Sequence, residues 1–310
     1  MKKLSLLAIG EVMAEIRKSS SSDTHSTFQV GFAGDTFNTA VYCKRTLADR
    51  GSVGYFTRVG KDSLSTGFVE MAKREALDVS HVVPDPNRLI GIYSVTTDET
   101  GERSFSYWRE HSAARQLFSD DEAIHQLPDA SIYYLSGITL AILSPPARAR
   151  LMNHLSKVSD TKSALVAFDS NYRPGLWENQ TIARQVIGDM WDIADIALPS
   201  IDDEMELFND ASEDAVIIRF AKRNWNACAI KRGVRGPVTT STNHKFSLEF
   251  SAALNVVDTT AAGDSFNGGY LASLLRNEDE AARLRCGHNI AVEVVGKSGA
   301  IIPKADDCKD

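Results

Sequence analysis

Short apolar runs rich in β-branched residues recur along the chain, and each hands over to a stretch whose apolar positions repeat at helical spacing. LSLLAIG (4–10) leads, after an interruption, to TFNTAVYCKRTLADR, and VGYFTRVG (53–60) leads to SLSTGFVEMAKREAL. SIYYLSG (131–137) precedes PPARARLMNHLSKV, ALVAFDS (164–170) precedes TIARQVIGDMWDI, and ADIALPS (194–200) precedes DDEMELF. NACAIKRG (226–233) closes the series. Strands buried on both faces read as unbroken apolar runs, and their alternation with helices predicts an α/β fold: a mostly parallel sheet covered on both sides. Ligands on such sheets bind beyond the carboxyl ends of the strands, which is where FDSNYR, LPS and KRG fall.

Two segments break the pattern. Residues 12–32 and 88–110 carry alternating polar and apolar positions, an ETGE turn in the second, and no helical period. They read as antiparallel strands standing off the main sheet, either a small β-lid over the binding edge or added edge strands without function. With no internal repeat, low-complexity tract or long linker, residues 1–310 read as a single domain carrying that lid.

Composition narrows the functional classes. At 310 residues and 43% hydrophobic, the chain has enough apolar material for a large core. Its 34 basic and 41 acidic residues give a net charge of −7, which argues against a broad surface for nucleic acid or anionic membrane. The cysteines at 43, 228, 286 and 308 form no C-x-x-C pair, and the histidines form no ligand spacing. That pattern fits a reducing cytoplasm rather than a disulfide framework or zinc site. MKKLSLLAIGEVMAEI imitates a secretion signal, but its apolar run is short, Glu11 and Glu15 interrupt the residues after that run, and no cleavage site appears. It reads as a first buried strand. No stretch approaches the ~20 apolar residues of a membrane-spanning helix.

The common nucleotide motifs are incomplete or missing. GKS occurs at 296–298, but Ala291 holds the place of the first glycine of a G-x-x-x-x-G-K-[ST] loop, and AVEVV before it reads as the end of a helix begun near Glu280. No G-x-G occurs anywhere. The remaining candidate is DTTAAGDSFNGGYL (258–271). Small residues at 261–263 let backbone N–H groups converge at a helix start, where phosphate or developing negative charge binds. Asp264 in the same turn can orient a hydroxyl or take its proton. The helix end favours its ionised form, so an ordinary carboxylate pKa is expected. The competing reading is a plain helix start with an acid in its first turn.

DTTAAGDSFNGG resembles the C-terminal signature D-T-x-G-A-G-D of the ribokinase-like (PfkB) carbohydrate kinases, with Ala261 where most members have the first glycine. GFAGDTFNTAV (31–41) resembles their N-terminal signature, a Gly-rich turn entering a helix, and the likeness extends from LSLLAIGE to SGAIIP. The resemblance implies a ribokinase-like fold with ATP and Mg²⁺ as cofactors. It makes Asp264 the general base and the Ala261, Ala262 and Gly263 amides the anion hole for the γ-phosphate.

Three stretches look like the 2-keto-3-deoxygluconate kinases within that family. In GDTFN, Gly34, Asp35 and Asn38 are set to bind sugar hydroxyls; in YWR, Tyr107 and Arg109 stand on the lid; in FDSNYRPGLW, Asn171 and Arg173 follow a strand end. A sugar acid carries a carboxylate, which arginine binds in bidentate fashion. Arg173 and Asn171 can also face nucleotide phosphates, and Tyr93 is a further lid candidate. The bland alternatives are that Tyr107 and Trp108 pack the lid, Arg109 pairs with Glu110 or Glu102, and Asp35 caps its helix. The resemblance places ATP at AIKRGVRG (229–236), near Lys231, Arg232, Gly233 and Gly236, with Asn289 near the adenine. The family's N-x-x-E motif, which organises magnesium through water, falls at LPSIDDE: Ser200 stands for Asn and Asp203 for Glu, with Glu204 as rival.

The expected function is therefore ATP-dependent phosphorylation of the 6-hydroxyl of 2-keto-3-deoxygluconate. Rivals are a family kinase acting on fructose, ribose or a deoxy-keto-inositol acid, and a catalytically silent ligand-binding member. Exposed lid strands invite pairing between subunits, so a homodimer or larger homo-oligomer is expected.

Overall fold

The computed structural model describes residues 3–21, 26–97, 103–240 and 248–304. In chain order the strands are β1 (Leu4–Ile9), β2 (Met13–Ser21), β3 (Ser26–Ala33), β4 (Val53–Val59), β5 (Val82–Pro84), β6 (Gly91–Thr97), β7 (Arg103–Trp108), β8 (Ala130–Ser136), β9 (Leu165–Asp169), β10 (Ile196–Ala197) and β11 (Ala227–Cys228). The helices are α1 (Asp35–Leu47), α2 (Ser63–Arg74), α3 (Gly137–Ile142), α4 (Pro145–Asp160), α5 (Gln180–Ile193), α6 (Ile201–Phe208), α7 (Glu213–Ala221), α8 (Ala262–Leu275) and α9 (Glu280–Val295).

Seven strands form one sheet in the order β11-β10-β9-β8-β1-β4-β5, every neighbouring pair parallel. The apolar runs have the expected cause. In β1, Leu7 and Ile9 pack with Phe56, Leu135 and Leu151 on one face, while Leu6 and Ala8 pack with Phe37, Tyr55 and Tyr270 on the other. The strands near Ala194–Ser200 and Asn226–Gly233 are shorter than their apolar runs, with two residues each in the regular ladder, and pairing resumes beyond them at a Ser200–Lys231 bridge.

The described residues of segments 12–32 and 88–110 do stand off the main sheet, as a four-stranded sheet in the order β3-β2-β6-β7. Its pairing corrects the antiparallel expectation. β2 with β3 and β6 with β7 are antiparallel, but β2 and β6 run parallel because the two hairpins join side by side. The alternative pairing of Arg109 with Glu102 involves a residue outside the described ones.

Helix α8 explains the two glycines that weaken its helix propensity. A Cβ at Gly268 would sit 2.7 Å from the Tyr42 Cβ and 2.8 Å from the Thr39 carbonyl, and one at Gly269 would sit 3.0 Å from the Gly287 Cα. The two positions let α8 lie in close contact with α1 on one side and α9 on the other. The cost of a helical glycine, about 1 kcal/mol each, is offset by that packing, and it fixes the start of α8 against the start of α1.

Candidate active site

The functional candidates collect where the carboxyl ends of β1, β8, β9, β10 and β11 meet the N-termini of α1, α6 and α8. Gly34 precedes α1 and leaves no room for a side chain: a Cβ there would lie 2.2 Å from the Glu11 carbonyl oxygen. Asn38, one turn on and buried, accepts the Gly34 amide at 3.4 Å and donates through Nδ2 to Asp264 Oδ2 at 2.9 Å. Thr39 donates to the Asp264 carbonyl oxygen at 3.1 Å. The first turn of α1 thus grips the first turn of α8.

Asp264 stands in a ring of like charge. Burial pushes its carboxyl up to about 7, Asp35 and then Asp169 add repulsion, and the Asn38 amide and Lys231 ammonium pull the other way. This corrects the expectation of an ordinary carboxylate pKa: the helix start is a local effect, outweighed by burial and by carboxylates arriving from other elements. Asp35 is raised too, chiefly by burial. It does not cap α1, whose N-cap is Gly34. Its Oδ2 accepts from the Ser136 hydroxyl and from Asn171 Nδ2, the latter at 2.8 Å. Asn171 itself holds a left-handed backbone at φ 31°.

Ala261 is the N-cap of α8 at φ 61°, the left-handed region that suits the glycine it replaces in the signature. Its methyl packs with Met13, Tyr93 and Ala300. The Ala262 amide donates to the Thr259 carbonyl at 3.2 Å, so that donor is in use. The Ala261, Gly263 and Asp264 amides have no protein acceptor among the described residues and remain available for an anion.

A cavity of about 850 Å³ is lined by Gly34, Asp35, Asn38, Asn171, Arg173 and the 259–264 turn, with Tyr93, Phe105, Tyr107 and Arg109 of the four-stranded sheet as its roof. The roof rings stack, Tyr93 on Tyr107 at 5.9 Å and Phe105 on Tyr107 at 6.3 Å. The Tyr93 hydroxyl donates to Glu15, leaving its ring face to the cavity. Arg109 pairs with Glu11, which is 2% exposed, rather than with Glu110.

A second, more apolar cavity of about 330 Å³ adjoins the first and shares Ser200, Lys231, Thr259, Ala262 and Gly263 with it. Arg232 and Gly233 line it, whereas two other residues expected beside them do not. Gly236 is not in its wall; Val234 and Pro237 are, and Gly236 packs beneath Phe250. Asn289 is exposed on α9, whose cavity face carries His288, Ala291, Val292 and Val295. A helix advances about 100° per residue, so a one-residue error turns a side chain away. His288, missed from the sequence, lies tilted against Phe250 at 4.9 Å between ring centres and is held by the Ser251 carbonyl at 2.8 Å.

On the opposite wall of the larger cavity, Arg173 donates to Asp203 at 3.2 Å. Burial raises the Asp203 carboxyl to about 6, with Arg173 opposing. Its rival Glu204 is fully buried between Arg219 at 2.9 Å and Trp191 at 3.2 Å and reaches neither cavity. Among the described residues no cluster of three His, Cys, Asp or Glu could cage a metal, and no helix is long and apolar enough to cross a membrane.

Two residues absent from the expected set complete the floor. Asp169, at the end of β9, accepts from Lys231 Nζ at 2.5 Å and from Asn267 Nδ2 at 2.7 Å. Both lie inside quoted motifs, FDSNYR and DSFNGG, but nothing in either motif shows that they meet.

Comparison with known proteins identifies the family. A chain from Dickeya dadantii (strain 3937) named 2-dehydro-3-deoxygluconokinase is 38% identical over 303 residues, covering 95% of this chain and 96% of that protein. One of the same name from Escherichia coli (strain K12) is 36% identical over 306 residues, covering 96% and 97%. In fold, the chain is similar to the crystal structure of 2-dehydro-3-deoxygluconokinase from Thermotoga maritima, with a TM-score of 0.82 at 19% identity over 97% of this chain and 95% of that one. It is also similar to a putative ribokinase II from E. coli in complex with ATP and Mg²⁺, with a TM-score of 0.81 at 20% identity over 96% and 94%. With residues 3–307 matching the family pattern as well, the chain belongs to the pfkB family carbohydrate kinases.

Proposed function

We propose that the chain is an ATP-dependent sugar-acid kinase that phosphorylates the 6-hydroxyl of 2-keto-3-deoxygluconate, the compound also called 2-dehydro-3-deoxygluconate. The observation that carries the reading is the meeting of two cavities at one helix start, the more polar one holding Asp264 and the more apolar one offered to a nucleobase, beside amides that lack acceptors. The full-length relatives at 36–38% identity support the substrate.

In this reading the sugar lies under the Tyr93–Tyr107 roof with its hydroxyls on Gly34, Asp35 and Asn38, and its carboxylate faces Arg173 and Arg109. ATP occupies the apolar cavity and directs its terminal phosphate to the Gly263 and Asp264 amides. Asp264 takes the proton as the hydroxyl oxygen bonds to phosphorus and the bond to the ADP oxygen breaks. The work is positioning and charge stabilisation, and the roof keeps out water that would hydrolyse ATP. Mg²⁺ fits a wall of hard oxygen donors and neutralises phosphate charge when bound. Asp203 would hold it through water, and Ser200 stands beside it.

The test is a panel of sugars and sugar acids with ATP in an ADP-release assay, with the product position read by NMR. The acid should be phosphorylated at its 6-position with the highest kcat/KM. Preference for fructose or ribose, or no ADP release with any of them, overturns the reading. The fructose alternative has its own support, since the chain is 28% identical to a probable fructokinase of Arabidopsis thaliana over 72% of its length.

The reading includes a cytoplasmic homodimer. Strand register puts Phe28, Val30 and Trp108 on the lid face opposite the cavity, 54%, 50% and 61% exposed. A second copy laid against that face would cover them. Sedimentation should give a dimer that Val30→Asp dissociates; a monomeric parent removes this part of the proposal.

A further inference from the structure

The family resemblance places Lys231 near ATP without giving it a task, and the structure sets it in a buried ion pair with Asp169. Its side chain is 11% exposed and that of Asp169 is 4%. Taking two charges out of water this way is weak evidence for stability, because desolvation offsets most of their attraction. The surroundings are nevertheless built for it. Asn267 is fully buried, and its amide is used at both ends: Nδ2 donates to Asp169 Oδ2 at 2.7 Å and to the Tyr134 hydroxyl at 3.1 Å, while Oδ1 accepts from Lys231 Nζ at 3.1 Å. The ammonium therefore has two protein acceptors and keeps one N–H without any among the described residues.

Its location gives that third donor a target. Lys231 lines both cavities at their junction. Its Nζ lies 3.7 Å from where a Cβ on Gly263 would be, beside the Gly263 and Asp264 amides, which lack acceptors. Two backbone donors at a helix start and one ammonium thus border the same space, with Asp169 and Asn267 holding the ammonium from behind.

We propose that Lys231 is the mobile positive charge of the site: parked on Asp169 and Asn267, it turns to the terminal phosphate of bound ATP, and those two residues set its position. The inference rests on the kinase reading and names the group that meets the charge developing on the transferred phosphoryl. ADP lacks that phosphate, so Lys231 separates the two nucleotides. The carboxylate that parks the ammonium competes with the phosphate for it, so the two members of the pair act on nucleotide affinity in opposite directions.

The experiment is calorimetric titration of the parent, Lys231→Met, Lys231→Arg and Asp169→Asn with the β,γ-imido analogue of ATP and with ADP, in Mg²⁺ buffer without sugar. Lys231→Met should weaken the ATP analogue about tenfold, the size of one charged hydrogen bond, and leave ADP within twofold. Lys231→Arg should recover part of the loss. Asp169→Asn should bind the analogue several-fold more tightly. An ion pair that only braces the fold predicts a different result: both substitutions weaken both nucleotides alike, and that outcome overturns the proposal. Should Asp169→Asn fail to fold, the ATP-to-ADP ratio of Lys231→Met decides alone, and an unchanged ratio refutes the role. None of these readings needs a sugar substrate, so failure of the sugar-acid assignment and failure of this inference are separable.

Discussion

Asn38 and Asp264 lie 226 residues apart in the chain and 2.9 Å apart in space, joined through the Asn38 amide and one carboxylate oxygen. Asn38 is itself oriented by the Gly34 amide, so the contact turns the Asp264 carboxylate and leaves its other oxygen for a substrate hydroxyl. Asn38→Ala removes both the orientation and a hydrogen bond that favours the charged form. We expect kcat to fall by about 10²-fold, within the usual range for general-base positioning, with a smaller change in KM for ATP. Asp264→Asn should lose nearly all turnover while binding both ligands. Turnover of Asp264→Asn within a few-fold of the parent would remove Asp264 as the base.

The pH dependence comes from the ring of carboxylates. With its carboxyl at about 7, Asp264 is protonated below neutrality, so kcat/KM should rise with pH and level off above about 7. The groups facing it are Asp35 on α1, Asp169 at the end of β9, Lys231 after β11 and the neutral Asn38. Lys231→Met should therefore move the acid limb up, and Asp169→Asn should move it down. Stability carries the opposite sign. A carboxyl raised in the fold favours the protonated form, so its stabilising share is present below its ordinary value of 3.8 and is lost as pH rises through about 7. Asp264→Asn should accordingly match the parent in thermal stability near pH 4 and exceed it near pH 8. An equal difference at both values would show that the carboxyl is not strained.

Much of this site is legible in the sequence, for reasons that differ by element. The parallel sheet is readable because its central strands are buried on both faces, and β1 and β8 show that as unbroken apolar runs. The DTTAAGD turn is readable because small residues before a helix leave amides free. The lid's pairing is not, since β2 and β6 meet across more than seventy residues and alternation says nothing about direction. Lys231, Asp169 and Asn267 sit in three separate motifs, and only the fold brings them within hydrogen-bonding distance. The pKa of Asp264 escapes the sequence for the same reason: its neighbours in sequence are small and neutral, and its neighbours in space are acidic.

Arg109 illustrates a residue whose substitution has two effects. Its partner Glu11 sits at the hinge between β1 and the lid, with a side chain only 1% exposed. Arg109→Met would leave that carboxylate buried and unpaired, a loss of about 3 kcal/mol or more. The double variant Glu11→Gln, Arg109→Met removes the orphaned charge and should recover most of that stability in a denaturant titration. Its KM for the sugar acid then isolates the role in binding. A KM equal to that of the parent would leave Arg109 as a hinge residue only.

Arg173 separates the same two effects from the other side. Its side chain is 52% exposed and its contact with Asp203 is a single bond at 3.2 Å, so Arg173→Ala should cost less than about 1 kcal/mol of stability. It lines the large cavity, where the proposed reading puts the substrate carboxylate, and a guanidinium on an anion is worth more than one on a solvated surface. We therefore expect KM for the sugar acid to rise at least tenfold, while KM for a neutral sugar accepted by the enzyme moves little. Because Arg173 opposes the rise of the Asp203 carboxyl, its removal should also shift that group further up and raise the Mg²⁺ concentration needed for activity just above pH 6. Equal losses for charged and neutral sugars would assign Arg173 to the nucleotide phosphates instead.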